Sequence, residues 1–160
     1  MAILTNSGRA AVVAAIRTQP LHMAWGAGRA EWDLTPESEP ILATALESEI
    51  GRRELTQSLY CVPDESGDII VPNGRFSVSE KPTNHLYLRF NFDFSDAASS
   101  IIREVGVFLG TVVKPGLPAG QKYFTLAQLE NPGQLLSLER VPKFERNAAV
   151  RQSFEFVITF

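Results

Sequence analysis

Residues 85–94 read His-Leu-Tyr-Leu-Arg-Phe-Asn-Phe-Asp-Phe, and this stretch decides the fold. Leucine or phenylalanine occupies every second position from Leu86 to Phe94, and the positions between them carry tyrosine and polar residues. A period of two is typical of a strand that buries one of its faces. The pattern therefore predicts a strand over 85–93 with its apolar face in the core.

Similar patterns, bounded by turn residues, occur on both sides of this stretch. A turn or a bulge is expected at Pro72–Gly74, and the first strand should bury Leu21, Met23 and Trp25 on one face. Seven or so short strands separated by turns indicate an antiparallel β-sandwich or an open barrel. The further strands are predicted over Leu21–Gly26, Leu55–Val62, Ile69–Val71, Arg75–Ser79, Ile101–Leu109, Leu135–Val141 and Val150–Phe160.

The start of the chain predicts a helix over residues 6–18. It is rich in alanine, Thr5, Asn6 or Ser7 can cap its first turn, and Pro20 stops it. A second short helix is predicted over roughly 41–48. The fold class is therefore mainly β with one or two helices, an α+β arrangement. We expect residues 1–160 to form a single structural domain, with the β-rich body over 55–160.

Composition narrows the classes of function. The chain has 160 residues, of which 44% are hydrophobic, and a net charge of −3. This is typical of a soluble globular domain and argues against a general nucleic-acid binder. The single cysteine excludes an internal disulfide, and no apolar run is long enough for a membrane-spanning helix.

Candidate catalytic residues are few. His22 and His85 have no second histidine at metal-ligand spacing, and we interpret them as surface or interface residues. Cys61 is interpreted as a small apolar core residue. The glycine loop at 26–28 lacks the third glycine of a dinucleotide-binding turn. We therefore predict no catalytic residue, no metal and no cofactor.

Charge is distributed unevenly along the chain. Residues 31–54 carry seven acids against two arginines, and residues 140–151 carry four bases against one glutamate. Two interpretations stay open: these are solvated surfaces, or they are complementary patches that fix the register between neighbouring subunits.

Two segments resemble one family when they are taken together. Leu4–Ala11, at the start of the predicted helix, resembles the N-terminal domain of bacteriophage tail-collar fibre proteins, as does Thr44–Glu49 further along. Ile101–Phe108, Ile-Arg-Glu-Val-Gly-Val-Phe in its last seven residues, is similar to a strand of that family and of related baseplate proteins, and Phe90–Phe94 fits before it. The resemblance covers about residues 3–110.

The resemblance implies a structural protein of the phage virion, in the baseplate or tail tip, made and assembled in the host cytoplasm. It implies binding without catalysis, with tail fibre and baseplate proteins as partners, and a homo-oligomer, most simply a trimer. Tail-collar fibre proteins continue for hundreds of residues into a shaft, so we expect only the attachment part here. The predicted interface residues, for which a core position is the alternative, are Trp25, Trp32, Tyr87, Arg103, Glu104, Tyr123 and Phe160.

Arg103 and Glu104 are predicted to form a buried or interfacial ion pair, with Glu104 facing a base on an adjacent strand, and Gly106 suits close backbone approach. Two other classes stay open. A carbohydrate-binding β-sandwich would use an aromatic platform, for which Trp25 and Trp32 are the candidates. A small baseplate hydrolase would need paired carboxylates in a cleft, and no compact motif for it is present.

Overall fold

The computed structural model describes all 160 residues, which fall into two compact units. The first unit comprises residues 1–19, 55–90 and 153–160, and the second comprises residues 20–54 and 91–152. Each unit contains one five-stranded antiparallel sheet. The predicted class, mainly β and antiparallel with a short N-terminal helix, is confirmed. That the chain is a single domain stays a prediction.

The helix and strands have these bounds: α1 Asn6–Arg17, β1 Leu21–Gly26, β2 Glu49–Glu54, β3 Gln57–Pro63, β4 Ile69–Val71, β5 Gly74–Ser79, β6 His85–Phe92, β7 Ile101–Leu109, β8 Val112–Val113, β9 Tyr123–Phe124, β10 Leu129–Asn131, β11 Gln134–Glu145 and β12 Gln152–Thr159. Two short 3₁₀ helices cover Ala30–Asp33 and Leu126–Gln128.

In the first unit, α1 begins as predicted. The Thr5 side chain accepts a hydrogen bond from the Gly8 amide at 3.2 Å, which satisfies one of the free donors of the first turn. Val13 and Ile16 are buried, whereas Val12 is exposed. The helix therefore buries a narrow apolar face.

The sheet of the first unit has the order β12-β6-β3-β5-β4. Strand β6, the second strand of this sheet, confirms the pattern for Leu86, Leu88 and Phe90, which are fully buried. Phe94 lies beyond the end of the strand and is partly exposed, and Tyr87 on the other face is buried as well. The turn at Pro72–Gly74 joins β4 to β5 as a tight hairpin, in which Val71 faces Gly74. A cluster of buried side chains packs on this sheet: Cys61, Val71, Phe76, Tyr87 and Val157.

The sheet of the second unit has the order β11-β7-β1-β2-β9, and β8 pairs with β10 beside it. The predicted strand at 21–26 is present, but the prediction that it buries only one face is wrong, since all six of its residues are buried. Its position between β7 and β2 explains this, because Ala24 packs with Leu46 and Phe108 on one side.

One prediction for residues 41–54 is wrong, and one strand was missed. The helix over 41–48 is absent: this stretch forms turns, with the Ala43 amide bonded to the Pro40 carbonyl at 2.9 Å. The apolar side chains that would have formed its face do not pack together, since Leu46 is buried while Ile41 is exposed. Strand β2 was not predicted, because its sequence, Glu-Ile-Gly-Arg-Arg-Glu, is mostly charged.

Candidate interaction site

The predicted interface residues divide into buried and partly exposed groups. Trp25 has no exposed surface, and its ring stacks on Phe92 with 3.5 Å between centroids. Tyr87 and Glu104 are also buried within the chain. The sequence left a core position open as the alternative for these three residues, and the structure places them in the core. Their role at an interface stays a prediction.

Trp32 and Arg103 lie together in the second unit. Trp32 belongs to the 3₁₀ helix Ala30–Asp33 and packs against Gly28, where a side chain would collide with the indole ring. The positive φ of Gly28, 59°, also requires a glycine, so the loop holds Trp32 by close approach. Trp32 is nearly buried, which leaves neither predicted tryptophan as an exposed platform for a carbohydrate.

Arg103 forms an ion pair, but with a partner that the sequence did not indicate. Its Nε and Nη2 donate to the two carboxylate oxygens of Asp33 at 2.8 and 2.9 Å, a bidentate geometry. Glu104 lies opposite Arg140 of the adjacent strand β11, but no ion pair joins them: Glu104 Oε1 accepts a hydrogen bond from the Ser48 amide at 3.0 Å. Of the predicted charged pair, only Arg103 is ion-paired, and Glu104 holds a backbone amide.

Asp33, from the acidic block, contacts Lys143, from the basic block. Lys143 Nζ lies 3.0 Å from the same carboxylate that Arg103 binds. The hydrogen bond from Arg103, followed by that from Lys143, holds the pKa of Asp33 well below its usual range despite partial desolvation. The carboxylate is therefore ionised wherever the protein is folded near neutral pH.

Arg140 extends this network along β11. Its guanidinium stacks over the Trp32 ring at 4.0 Å and lies 3.2 Å from a Glu37 carboxylate oxygen. Its backbone amide donates to Glu39 Oε1 at 2.9 Å, and this bond lowers the pKa of Glu39. Because β11 is the edge strand of its sheet, Glu39 replaces the carbonyl that a further strand would offer.

Arg29 is a further member of this network and contacts Glu47 and Glu37. Its Nε donates to Glu47 Oε1 at 2.9 Å, and Nη1 lies 3.9 Å from Glu37. The hydrogen bond with Arg29 lowers the pKa of Glu47. Two bases of the 140–151 block, Arg140 and Lys143, therefore pair with Glu37 and Asp33 of the acidic block within one unit of the same chain, without a second subunit. The opposed charge of the two blocks was a sequence signal for this site.

The residues that these pairs hold form one irregular segment, residues 34–48, between the first 3₁₀ helix and β2. Nearly every residue from 34 to 45 is exposed. A recess of about 600 Å³ lies on one side, between Trp32, Leu34 and Pro142 among others. A second recess of about 310 Å³ lies between Ile41 and Leu135–Leu138.

The remaining predicted interface residues lie elsewhere. Tyr123, in β9, is half-buried; its hydroxyl has no hydrogen-bond partner, and burial raises its pKa to about 12. Phe160 is half-buried in the first unit, where its amide donates to the Asn84 carbonyl at 3.0 Å. The structure therefore does not bring the seven predicted residues into one site.

The candidate catalytic residues of the sequence, His22, His85 and Cys61, are all buried or half-buried. The interpretation of His22 as a surface or interface residue is wrong, because it is buried, and burial lowers its pKa to about 4. His85 is half-buried and donates to or accepts from the Thr159 hydroxyl at 2.8 Å. Cys61 is a core residue as predicted, and burial raises the pKa of its thiol to about 11. A thiol in this state is a poor nucleophile at neutral pH.

The second unit thus presents internally paired charges beside exposed apolar side chains such as Leu34 and Ile41, an arrangement that suits contact with another protein. The chain belongs to the family of the baseplate wedge 3 tail fiber network component, whose model matches residues 1–160. No curated protein matches the chain. Its helix is too short and too polar to cross a membrane.

Family membership confirms the predicted kinship with phage baseplate and tail fibre attachment proteins. The chain is a structural component of the baseplate, and its place is the tail of the virion. The closer resemblance to tail-collar fibre proteins stays a prediction.

Proposed function

We propose that this protein connects the baseplate to tail fibres or to neighbouring baseplate proteins, and that it acts by binding without catalysing a reaction. The observation that carries the proposal is the family match over the whole chain, which puts the protein in a network of tail fibre components. A connecting protein needs surfaces that keep their shape before the partner arrives, because ordering them on binding would reduce the affinity.

The 34–48 segment meets this requirement. A loop of this length without secondary structure is uncommon in a compact domain and is often functional. Arg103 binds Asp33 directly before the segment, and Arg140 binds Glu37 within it. Arg29 binds Glu47 near its end. Exposed pairs contribute little singly, but the bidentate Arg103–Asp33 pair and the stacked Arg140 are less exposed and fix the local geometry.

Neighbouring tail and baseplate proteins and the tail fibre protein are the proposed partners. We propose several copies in each particle, as a trimer in the simplest case, assembled in the host cytoplasm. Nucleic acid is not a proposed partner, because the net charge of −3 offers no general attraction for phosphate.

Deletion of the gene for this chain from the phage tests the proposal. We expect tails that assemble their tubes but lack fibres or lose neighbouring baseplate proteins when viewed by electron microscopy, and restoration when the chain is supplied from a plasmid. Light scattering on the purified chain, alone and with the fibre protein, gives its mass and tests the trimer. Complete, fibre-bearing particles from the deletion phage would refute a connecting role.

A further inference from the structure

Three large aliphatic side chains on the 34–48 segment are almost completely exposed. Leu34, Ile41 and Leu42 have 91%, 98% and 89% of their surface accessible to solvent. A single exposed leucine needs no explanation, but three within nine residues of one ordered loop mark a candidate interaction site. Each would gain free energy if a partner removed it from water.

The acidic side chains of the same segment bind arginines of the same unit. Glu37 contacts Arg29 and Arg140, Glu39 accepts the Arg140 amide, and Glu47 contacts Arg29. The sequence of the segment is acid-rich and would by itself indicate a basic partner. Since these carboxylates already have basic partners inside the unit, the groups with the most to gain from a partner are the aliphatic ones.

The backbone of the segment is also held in place. The Leu34 and Thr35 amides donate to the Glu31 carbonyl at 3.1 and 2.9 Å. Arg140 Nη1 donates to the Ser38 carbonyl at 3.0 Å, and the Ser48 carbonyl accepts the Ala27 amide at 2.8 Å. The apolar side chains are thus presented by a segment anchored at its beginning, middle and end. Presentation of this kind lowers the entropic cost of binding.

We propose that Leu34, Ile41 and Leu42 insert into an apolar groove on a neighbouring protein of the tail fibre network. This inference rests on the proposed connecting function and adds the contact residues and the chemistry of the partner surface. The charge arrangement selects an apolar partner over a basic one. Association through these side chains should therefore depend only weakly on salt, because screening acts on charges and leaves apolar burial intact.

The test uses tails purified from the deletion phage, to which the labelled full-length chain is added, and the bound fraction is measured by sedimentation. Burying one leucine or isoleucine contributes about tenfold to a hundredfold in affinity. Each of Leu34→Ser, Ile41→Ser and Leu42→Ser should weaken binding by about that factor. Raising the salt from about 0.05 to about 0.5 M should change the affinity of the wild-type chain by less than about threefold.

Matched controls separate a lost contact from a lost fold. Ile70→Ser and Val150→Ser change exposed aliphatic residues outside the segment and should bind tails as the wild type does. The triple variant Leu34→Met, Ile41→Leu, Leu42→Met keeps the apolar surface and should retain binding. The variants at Leu34, Ile41 and Leu42 should have the thermal unfolding midpoint of the wild type, because these three side chains have almost no contacts to lose.

The outcomes separate the inference from the function on which it rests. Wild-type chain that does not bind the tails overturns both. Wild-type chain that binds while the serine variants bind equally well overturns the inference alone and leaves the connecting function standing. Binding that falls steeply with salt assigns the contact to charged groups and also overturns the inference. If the serine variants change only the mass of the purified chain in light scattering, the occupant is a second copy and the proposed partner is wrong.

Discussion

His22 makes the stability of the second unit sensitive to mild acid. The imidazole is only 5% exposed, its Nδ1 has no hydrogen-bond partner, and the ring of Phe124 lies edge-on at 5.9 Å. Burial lowers its pKa from 6.5 to about 4; Glu54 opposes this shift, and Arg52 and Lys122 reinforce it. The folded protein therefore holds His22 neutral at a pH where the unfolded chain takes up a proton.

The sign and the size of the effect follow from this difference in pKa. Below pH 6.5 the unfolded state binds more protons than the folded state, so the free energy of unfolding falls as the pH falls. The loss continues down to about pH 4, where the folded form is also protonated. Between pH 7 and pH 5 the two pKa values give a loss of about 2 kcal/mol.

Urea unfolding at pH 7 and pH 5, followed by tryptophan fluorescence, measures this loss. Both tryptophans lie in the unit that contains His22. For a urea dependence of about 2 kcal/mol per molar, the midpoint should be lower by about 1 M at pH 5. His22→Leu, which has a similar volume and no basic group, should abolish most of this shift. It should cost little at pH 7, because Nδ1, the buried nitrogen among the two that it removes, has no hydrogen-bond partner.

His85→Gln is the matched control. His85 is less buried than His22 and bonds to a hydroxyl, so this variant should keep most of the acid sensitivity. If His22→Leu loses as much stability between pH 7 and pH 5 as the wild type does, the assignment of the effect to His22 is wrong.

Three further substitutions test the packing. Arg52→Met leaves the carboxylate of Glu49, its partner at 2.7 Å, buried and uncompensated, and should cost about 3–5 kcal/mol in urea unfolding; adding Glu49→Leu should recover much of this, and a double variant no more stable than the single one would contradict that account. Gly106→Ala places a Cβ 2.9 Å from two leucine side chains, and we expect the free energy of unfolding to fall by about 1–3 kcal/mol. An unchanged urea midpoint would show that the site has room for the methyl group. Thr5→Ala removes the cap of α1 and should cost about 1 kcal/mol in thermal unfolding, whereas Thr5→Ser should cost much less and serves as its control.

The strands that alternate or cluster apolar residues were predictable from the sequence. β6 and β7 were located to within a residue because their apolar side chains are the ones that the core requires. β2 could not be found this way. Its Arg52 is fully buried, where Glu49, the Thr111 hydroxyl and the Pro132 carbonyl all accept hydrogen bonds from its guanidinium. A buried arginine looks like a surface residue until its partners are known, and those partners lie up to 80 positions away.

The candidate site was predictable only in outline. The opposed charge blocks indicated pairing, and Trp32 and Arg103 were named, but the contacts of Asp33 with Arg103 and Lys143 depend on tertiary structure. The helix predicted over 41–48 is absent for a related reason. Its residues are good helix formers, but anchoring at Arg140 and Arg29 holds the chain in turns, and long-range contacts override a weak local preference.

Different residues of the 34–48 segment hold its backbone and face outward, and this affects which of them can change. The residues that hold the segment, such as Glu37 and Glu39, are distinct from those that face outward, such as Leu34 and Ile41. Substitutions at the outward positions leave the internal pairs intact, so they carry almost no penalty in folding stability. On the proposed function, adaptation to a new partner requires changes in only a few of these side chains, while the scaffold that carries them stays the same.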